Sequence, residues 1–216
     1  MKPIQIRPHQ FNASVTGIDL NNICHADVNQ LKEAIWAREV LIIKGQHNLS
    51  STIQLNLVAR FEPDAPQVHS HGDIKTFQNR GGMLSKRCEV HEIPDAEHVR
   101  LIGKGYQGED HFGWKDPTVR GLSSDFHGYE VPEEGFRKGR TGFQRWHIGA
   151  PLHDCEPAWF TTLRCVKQPA GEDVTIAWEY GIGLEMESRP GLTASPSMRQ
   201  MYSWLSEEEQ KMADHS

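Results

Sequence analysis

A single imidazole at the end of an apolar stretch is the feature that most constrains this chain. Phe143 and Trp146 lead into His147, and a turn containing Gly149 and Pro151 follows. The pattern is typical of a strand that ends at a metal ion, because a neutral imidazole is a common metal ligand. A ligand two residues further on would share the face of His147, but Gly149 has no side chain to offer.

Several further segments occur in the same order as the motifs of one known enzyme family. They are Trp146-His147, Leu152-His153-Asp154, Pro157, Thr161-Thr162-Leu163, the turn at 171–175, and the stretches at 15–20 and 39–44. Together they resemble the TauD/TfdA family of Fe(II)/2-oxoglutarate oxygenases, in its branch of fungal xanthine dioxygenases. The resemblance extends from about residue 3 to the last residue.

The resemblance implies a mostly β fold of the α+β class, a partial double-stranded β-helix (jelly roll, clavaminate synthase-like) flanked by helices. It implies Fe(II) and 2-oxoglutarate as cofactors and a small-molecule substrate, for which the xanthine dioxygenases suggest a purine. The expected chemistry is oxidation of that molecule, such as hydroxylation.

The resemblance also assigns roles to individual residues. Enzymes of this kind hold iron with two histidines and one carboxylate on a single face; His147 is the first ligand, and Gly149 takes the position of the carboxylate. Thr175 is expected to hydrogen-bond a 2-oxoglutarate carboxylate. Further residues are candidates for orienting the iron ligand or for contacting the substrate: His153, Asp154, Gln78, Arg80 and Lys86. Trp146 is expected to be a buried aromatic residue beside the site.

Gly149 leaves three interpretations open. In the first, chloride replaces the missing carboxylate on iron, as in halogenases that resemble this family. In the second, the site has decayed and binds iron unproductively. In the third, water or an outside carboxylate such as Asp154 completes the site and hydroxylation persists.

A second histidine followed by an arginine is expected late in a complete domain of this family. No such pair occurs after His147 at a suitable place, so the sequence predicts an oxygenase domain that is incomplete at its C-terminus, from a truncated gene product or a degenerate paralogue. A non-catalytic ligand-binding or interaction protein is the alternative from a different class.

Composition limits the remaining possibilities. The 216 residues suffice for one domain, 1–216, and a net charge of −6 gives no case for nucleic-acid binding. No apolar run approaches a membrane span, no secretory segment precedes residue 20, and the four cysteines lack CxxC spacing. We therefore expect a cytoplasmic protein with reduced thiols and no membrane partner, and leave its oligomeric state open.

Local patterns predict the main elements. We expect strands at 4–6, 13–15, 40–44, 99–103, 159–166 and 175–178, and helices at 27–38 and 51–61 capped by Asp27 and Ser51. A further helix should begin at 195–197, and Ser206 with Glu209 predicts a capping box for the last one. Residues 62–98 look irregular, and the glycine- and aromatic-rich stretch 104–142 is predicted to be an active-site lid loop without regular structure.

Overall fold

The computed structural model describes residues 4–64, 91–119, 130–144, 146, 158–178 and 182–215. It divides into two compact units, one formed by residues 1–46 with 191–216 and the other by residues 47–190. Helices and small sheets of two or three strands make up the described residues, and the described strands close no barrel. The α+β class is thus confirmed, while the jelly roll stays a prediction.

The first unit is built on a three-stranded sheet with one helix connecting two of its strands. The sheet has the order β1-β2-β3, with β1 antiparallel to β2 and β2 parallel to β3. The core lies between the sheet and the helix, where Ala13, Val15, Val28 and Leu31 are buried. The elements are β1 (Gln5–Pro8), β2 (Asn12–Thr16), α1 (His25–Arg38) and β3 (Val40–Ile43), with a short 3-10 turn at Leu20–Asn22.

The start of α1 differs from the prediction by one turn of helix. Cys24, not Asp27, occupies the N-cap position. The Asp27 carboxylate instead accepts a hydrogen bond from the Cys24 backbone N–H at 3.1 Å. An acidic residue in the first helical turn favours the helix by satisfying an otherwise unpaired N–H. The prediction that Asp27 stabilises the start of α1 is thus correct, but its assignment to the N-cap position is wrong.

Two short helices end the first unit, α4 (Met198–Trp204) and α5 (Glu207–Ala213). The predicted capping box is confirmed, because the Ser206 hydroxyl accepts from the Glu209 N–H and the Glu209 carboxylate accepts from the Ser206 N–H. The helix predicted to begin at 195–197 corresponds to α4, and its apolar side chains are not buried, since Met198 is 70% exposed. No helix in the described part of the chain is long and apolar enough to cross a membrane.

The second unit begins with α2 (Ser51–Phe61), which buries Gln54, Leu57 and Phe61. Its N-cap is Ser50 rather than Ser51. An antiparallel hairpin of β4 (His91–Ile93) and β5 (Ala96–Leu101) then packs against α2. The prediction of irregular structure over 62–98 is therefore wrong at its C-terminal end.

Short paired strands replace the irregular structure expected over much of 104–142. A turn closes the inner hairpin, where the Gly113 N–H donates to Asp110 Oδ1 at 3.0 Å and Gly113 has a φ of +88°. Glycine suits that left-handed backbone. The elements are β6 (Gly105–Tyr106) paired with β9 (Thr118–Val119), β7 (Asp110–His111) paired with β8 (Trp114–Lys115), and α3 (Glu133–Arg137). The role of the stretch as a lid stays a prediction.

A second three-stranded sheet lies next to the metal motif in sequence. It consists of β10 (Arg140–Gly142), β11 (Val174–Ala177) and β12 (Glu185–Ser188), in that order. β10 runs parallel to β11, and β11 runs antiparallel to β12. The predicted strand at 175–178 corresponds to β11, whereas the one predicted at 159–166 forms no strand.

Candidate active site

Most of the predicted site residues lie outside the described part of the chain. These are His147, Gly149, His153, Asp154, Gln78, Arg80 and Lys86, whereas Trp146 and Thr175 are described. The structure therefore defines the frame on either side of the motif: the strand that leads into His147, its neighbour β11, and the segment from 158 to 166.

The approach to His147 is fixed by backbone pairing and by aromatic contacts. The Phe143 N–H donates to the Ala177 carbonyl at 3.0 Å, which continues the pairing of β10 with β11 towards the motif. The Phe143 ring stacks on Trp178 with centroids 4.4 Å apart and meets Trp146 edge to face at 5.7 Å. Such pairs stabilise beyond the area that they bury, so Phe143 anchors the segment just before His147.

Trp146 is not the buried aromatic that the sequence predicted. Its surface is 51% exposed, and its described ring contact is with Phe143. The prediction failed because an apolar lead-in to a strand end does not specify which of its aromatic rings faces the core. Phe143, which contacts both Trp146 and Trp178, is the central ring of this group.

Thr175 lies on β11, opposite Arg140 of β10 and Glu187 of β12. Its hydroxyl donates a hydrogen bond to Glu187 Oε1 at 2.7 Å, and its N–H donates to the Gly139 carbonyl at 3.0 Å. The hydroxyl has a single proton, so a carboxylate of 2-oxoglutarate would have to displace Glu187 to accept from it. The proposed cofactor contact of Thr175 thus remains a prediction, with Glu187 as its competitor.

The two glutamates of β12 were missed by the sequence analysis. Glu185 forms an ion pair with Arg140, and Glu187 accepts from Thr175, so both carboxylates project from the face of the sheet that carries Thr175. The period-two alternation in Glu185-Met186-Glu187-Ser188 is the signal that could have indicated a strand here. An acidic face beside Thr175 disfavours a bound carboxylate unless those charges are paired.

The segment that follows the motif is extended and held by every second side chain. The Phe160 ring lies 5.5 Å from that of Phe61, and Gln54 Nε2 donates to Thr162 Oγ1 at 3.4 Å. Leu163, between the anchored positions, is 68% exposed. Buried and exposed side chains therefore alternate here as they would in the predicted strand, but side-chain contacts hold the segment in place of the expected backbone pairing in a sheet.

Arg164 makes the most extensive of these contacts. Its guanidinium donates to the Leu49 carbonyl at 2.5 Å and to the His47 carbonyl at 2.9 Å, and it lies 5.1 Å from the centroid of the Phe112 ring. Burial lowers the pKa of this guanidinium from its usual value, although arginine stays charged. One side chain thus ties the segment after the motif to the loop before α2 and to the β7–β8 hairpin.

The described residues alone do not fit an iron site. Within the described ranges, no three histidine, cysteine, aspartate or glutamate side chains lie together as a metal-binding group. His147 therefore stays the candidate ligand on the strength of its motif.

Comparison with known proteins finds similarity to one class of enzyme. The chain is 35% identical over 209 residues, 95% of its length, to an alpha-ketoglutarate-dependent dioxygenase of Alternaria brassicicola. It is 33% identical over 211 residues, 96% of its length, to another such dioxygenase from Phomopsis amygdali. These similarities confirm the resemblance to 2-oxoglutarate-dependent dioxygenases.

A particular branch of that class is also represented. An alpha-ketoglutarate-dependent xanthine dioxygenase of Emericella nidulans is 33% identical over 207 residues, 94% of this chain. The chain covers 52% of the Alternaria protein and 53% of each of the other two, so it spans about half the length of these relatives. No protein-family model matches the chain, and no solved structure matches it.

Proposed function

We propose that this protein is an Fe(II)- and 2-oxoglutarate-dependent dioxygenase that oxidises a small molecule, with a purine such as xanthine as the first candidate substrate. The observation that carries the proposal is identity of 33–35% with such dioxygenases over at least 94% of the chain. The relatives named are dioxygenases, and they lend no support to a chloride site or to a non-catalytic role. The jelly roll expected for this class belongs to the same proposal.

The residues of this chain divide into ligands and frame. His147 is the proposed iron ligand, Thr175 the proposed partner of 2-oxoglutarate, and Gln78, Arg80 and Lys86 the proposed substrate contacts. Bound Fe(II) and 2-oxoglutarate supply the oxidising chemistry from O2. The described frame ends close to His147 in sequence, where the Phe143 N–H donates to the Ala177 carbonyl.

Gly149 determines how tightly the proposed site is expected to bind Fe(II). A carboxylate at this position would share the face of His147 and bind the same ion, whereas glycine leaves that position to water or to another group. We therefore expect weak iron binding by the 216-residue chain and turnover only at high Fe(II) concentration.

The test measures succinate formed from 2-oxoglutarate by the purified chain under air, with Fe(II) and xanthine varied independently. The proposal predicts succinate that requires both, and no such activity in His147→Ala. His25→Ala, which removes an exposed imidazole at the start of α1, is the matched control and should behave like the unaltered chain. Succinate formation that does not respond to Fe(II), or that survives His147→Ala, would contradict the proposal.

A further inference from the structure

The sheet of the first unit has two chemically different faces. The register pairs Ile6 with Val15, and Val15 is fully buried. The neighbouring pair, Arg7 with Ser14, must project to the opposite face, because successive side chains of a strand alternate. Ser14 in turn pairs with Ile42, which is 47% exposed, so the face that turns away from the core is polar along β1 and β2 and apolar at Ile42 of β3.

A depression of about 320 Å³ lies on this outward face. Ile6 contributes to its wall, and the other side chains that line it are polar: Gln5, Arg7, His9, Ser14, Thr16 and Lys44. The three strands supply them together, since Lys44 follows β3 directly and its N–H donates to the Val15 carbonyl at 3.0 Å. Backbone pairing thus brings these residues together on one part of the sheet.

The charge of the lining has one sign. Arg7 and Lys44 are cationic, whereas the residues that line the depression include no carboxylate. The chain as a whole carries a net charge of −6, so this cluster is opposite in sign to its surroundings on average. Two cations held close together repel each other, and a bound anion would relieve that repulsion.

The remaining groups suit the oxygen atoms of an anion. Thr16 offers a hydroxyl donor, Gln5 offers an amide, and the guanidinium of Arg7 can donate two parallel hydrogen bonds to one oxyanion group. His9 Nε2 lies 3.0 Å from Ser14 Oγ, so an anion that binds Ser14 shares or replaces that contact. Donors of several kinds converge where an acceptor-rich ligand could satisfy them.

We propose that this depression binds a small multivalent oxyanion that carries phosphate or carboxylate groups. The site goes beyond the proposed oxygenase chemistry, because none of its residues has a role there. Arg7, His9 and Lys44 are exposed, so the attraction is screened by salt and the affinity is modest.

The experiment titrates pyrophosphate and citrate, in separate arms, into the ¹⁵N-labelled full chain at low ionic strength and follows amide shifts by NMR. We expect saturable shifts centred on Ser14, Thr16 and Lys44, which weaken as salt is added. The double variant Arg7→Ala/Lys44→Ala should weaken binding by about tenfold. The control Arg137→Ala/Lys138→Ala removes the same charge from α3 and should leave binding unchanged.

The two arms identify the source of the anion. Tighter binding of pyrophosphate assigns the site to phosphate groups, tighter binding of citrate assigns it to carboxylates, and both results support a shared oxyanion site. Shifts that do not saturate, shifts that centre elsewhere, or equal loss in the two double variants would overturn the proposal. The amide map of the unaltered chain decides the matter even if the Arg7→Ala/Lys44→Ala variant folds poorly.

Discussion

The hydroxyl of Thr175 donates its hydrogen bond to the carboxylate of Glu187, across the β11–β12 pair at 2.7 Å. The residue assigned to 2-oxoglutarate is thus bound to a carboxylate of the chain itself. Glu187 accepts the hydrogen bond that a carboxylate of 2-oxoglutarate would accept, so cofactor binding through Thr175 would compete with this contact.

Removing the competing charge should therefore strengthen cofactor binding. We expect Glu187→Gln to lower the dissociation constant for 2-oxoglutarate by about threefold, because the hydroxyl is released from a carboxylate and one repulsive charge is lost. Calorimetric titration of 2-oxoglutarate measures the change. Glu172→Gln removes the same charge from the turn before β11 and leaves the ion pair of Glu185 with Arg140 intact, so equal effects of the two variants would exclude competition for the hydroxyl.

Arg164 should matter to stability through the geometry of its guanidinium. Arg164→Lys keeps the charge but cannot reach both the Leu49 and His47 carbonyls in the same way. We expect it to lower the free energy of unfolding by about 2 kcal/mol, the scale of charge-assisted hydrogen bonds. Urea unfolding measures this loss. Exposed Lys167→Ala is the control, and unchanged stability in Arg164→Lys would show that charge alone suffices.

The β7–β8 hairpin should respond to acid. A hydrogen bond from Lys115, followed by one from the Gly113 N–H, holds the pKa of the Asp110 carboxyl below its usual value. The folded pKa is the lower one, so the stabilising contribution is present above the ordinary pKa and is lost as pH falls through the lowered one.

An NMR titration of the Gly113 amide tests this pH dependence. Its midpoint should fall below the ordinary aspartate value of about 3.9. In Lys115→Met the midpoint should move back up, because the hydrogen bond from Lys115 to Asp110, which lowers the pKa most, is lost while the one from Gly113 remains. A midpoint at or above 3.9 in the unaltered chain would contradict the contacts seen here.

The sequence was most informative where the stabilising interactions are local. The Ser206–Glu209 capping box joins residues three apart, so the sequence contains both partners side by side. Residues 159–166 show the opposite case, because their β-branched pattern indicated a strand. What holds that segment is Gln54, Phe61 and the carbonyls near α2, about a hundred residues away.

The candidate site shows the same difference between local interactions, which the sequence predicts, and contacts between separate strands, which it does not. The motif around His147 was recognised from adjacent residues, and the comparisons confirm that the chain is similar to the dioxygenases to which the motif points. The contact of Glu187 with Thr175 was not predictable from the sequence, because it depends on the register of two strands joined by an intervening loop.

Gly149 provides the sharpest test of the site. Gly149→Asp places a carboxylate on the face of His147, so we expect Fe(II) to bind about tenfold more tightly or better under anaerobic titration. Gly103→Asp is the matched control, because it adds the same charge after β5, where an added Cβ meets nothing within 4 Å. Equal iron affinities in Gly149→Asp and Gly103→Asp would show that residue 149 does not face the metal at all.

Succinate formation measured with and without chloride separates the interpretations of Gly149. If glycine only leaves the position to water, turnover is independent of chloride and rises in Gly149→Asp. If chloride occupies the position, turnover requires chloride and the aspartate abolishes that requirement.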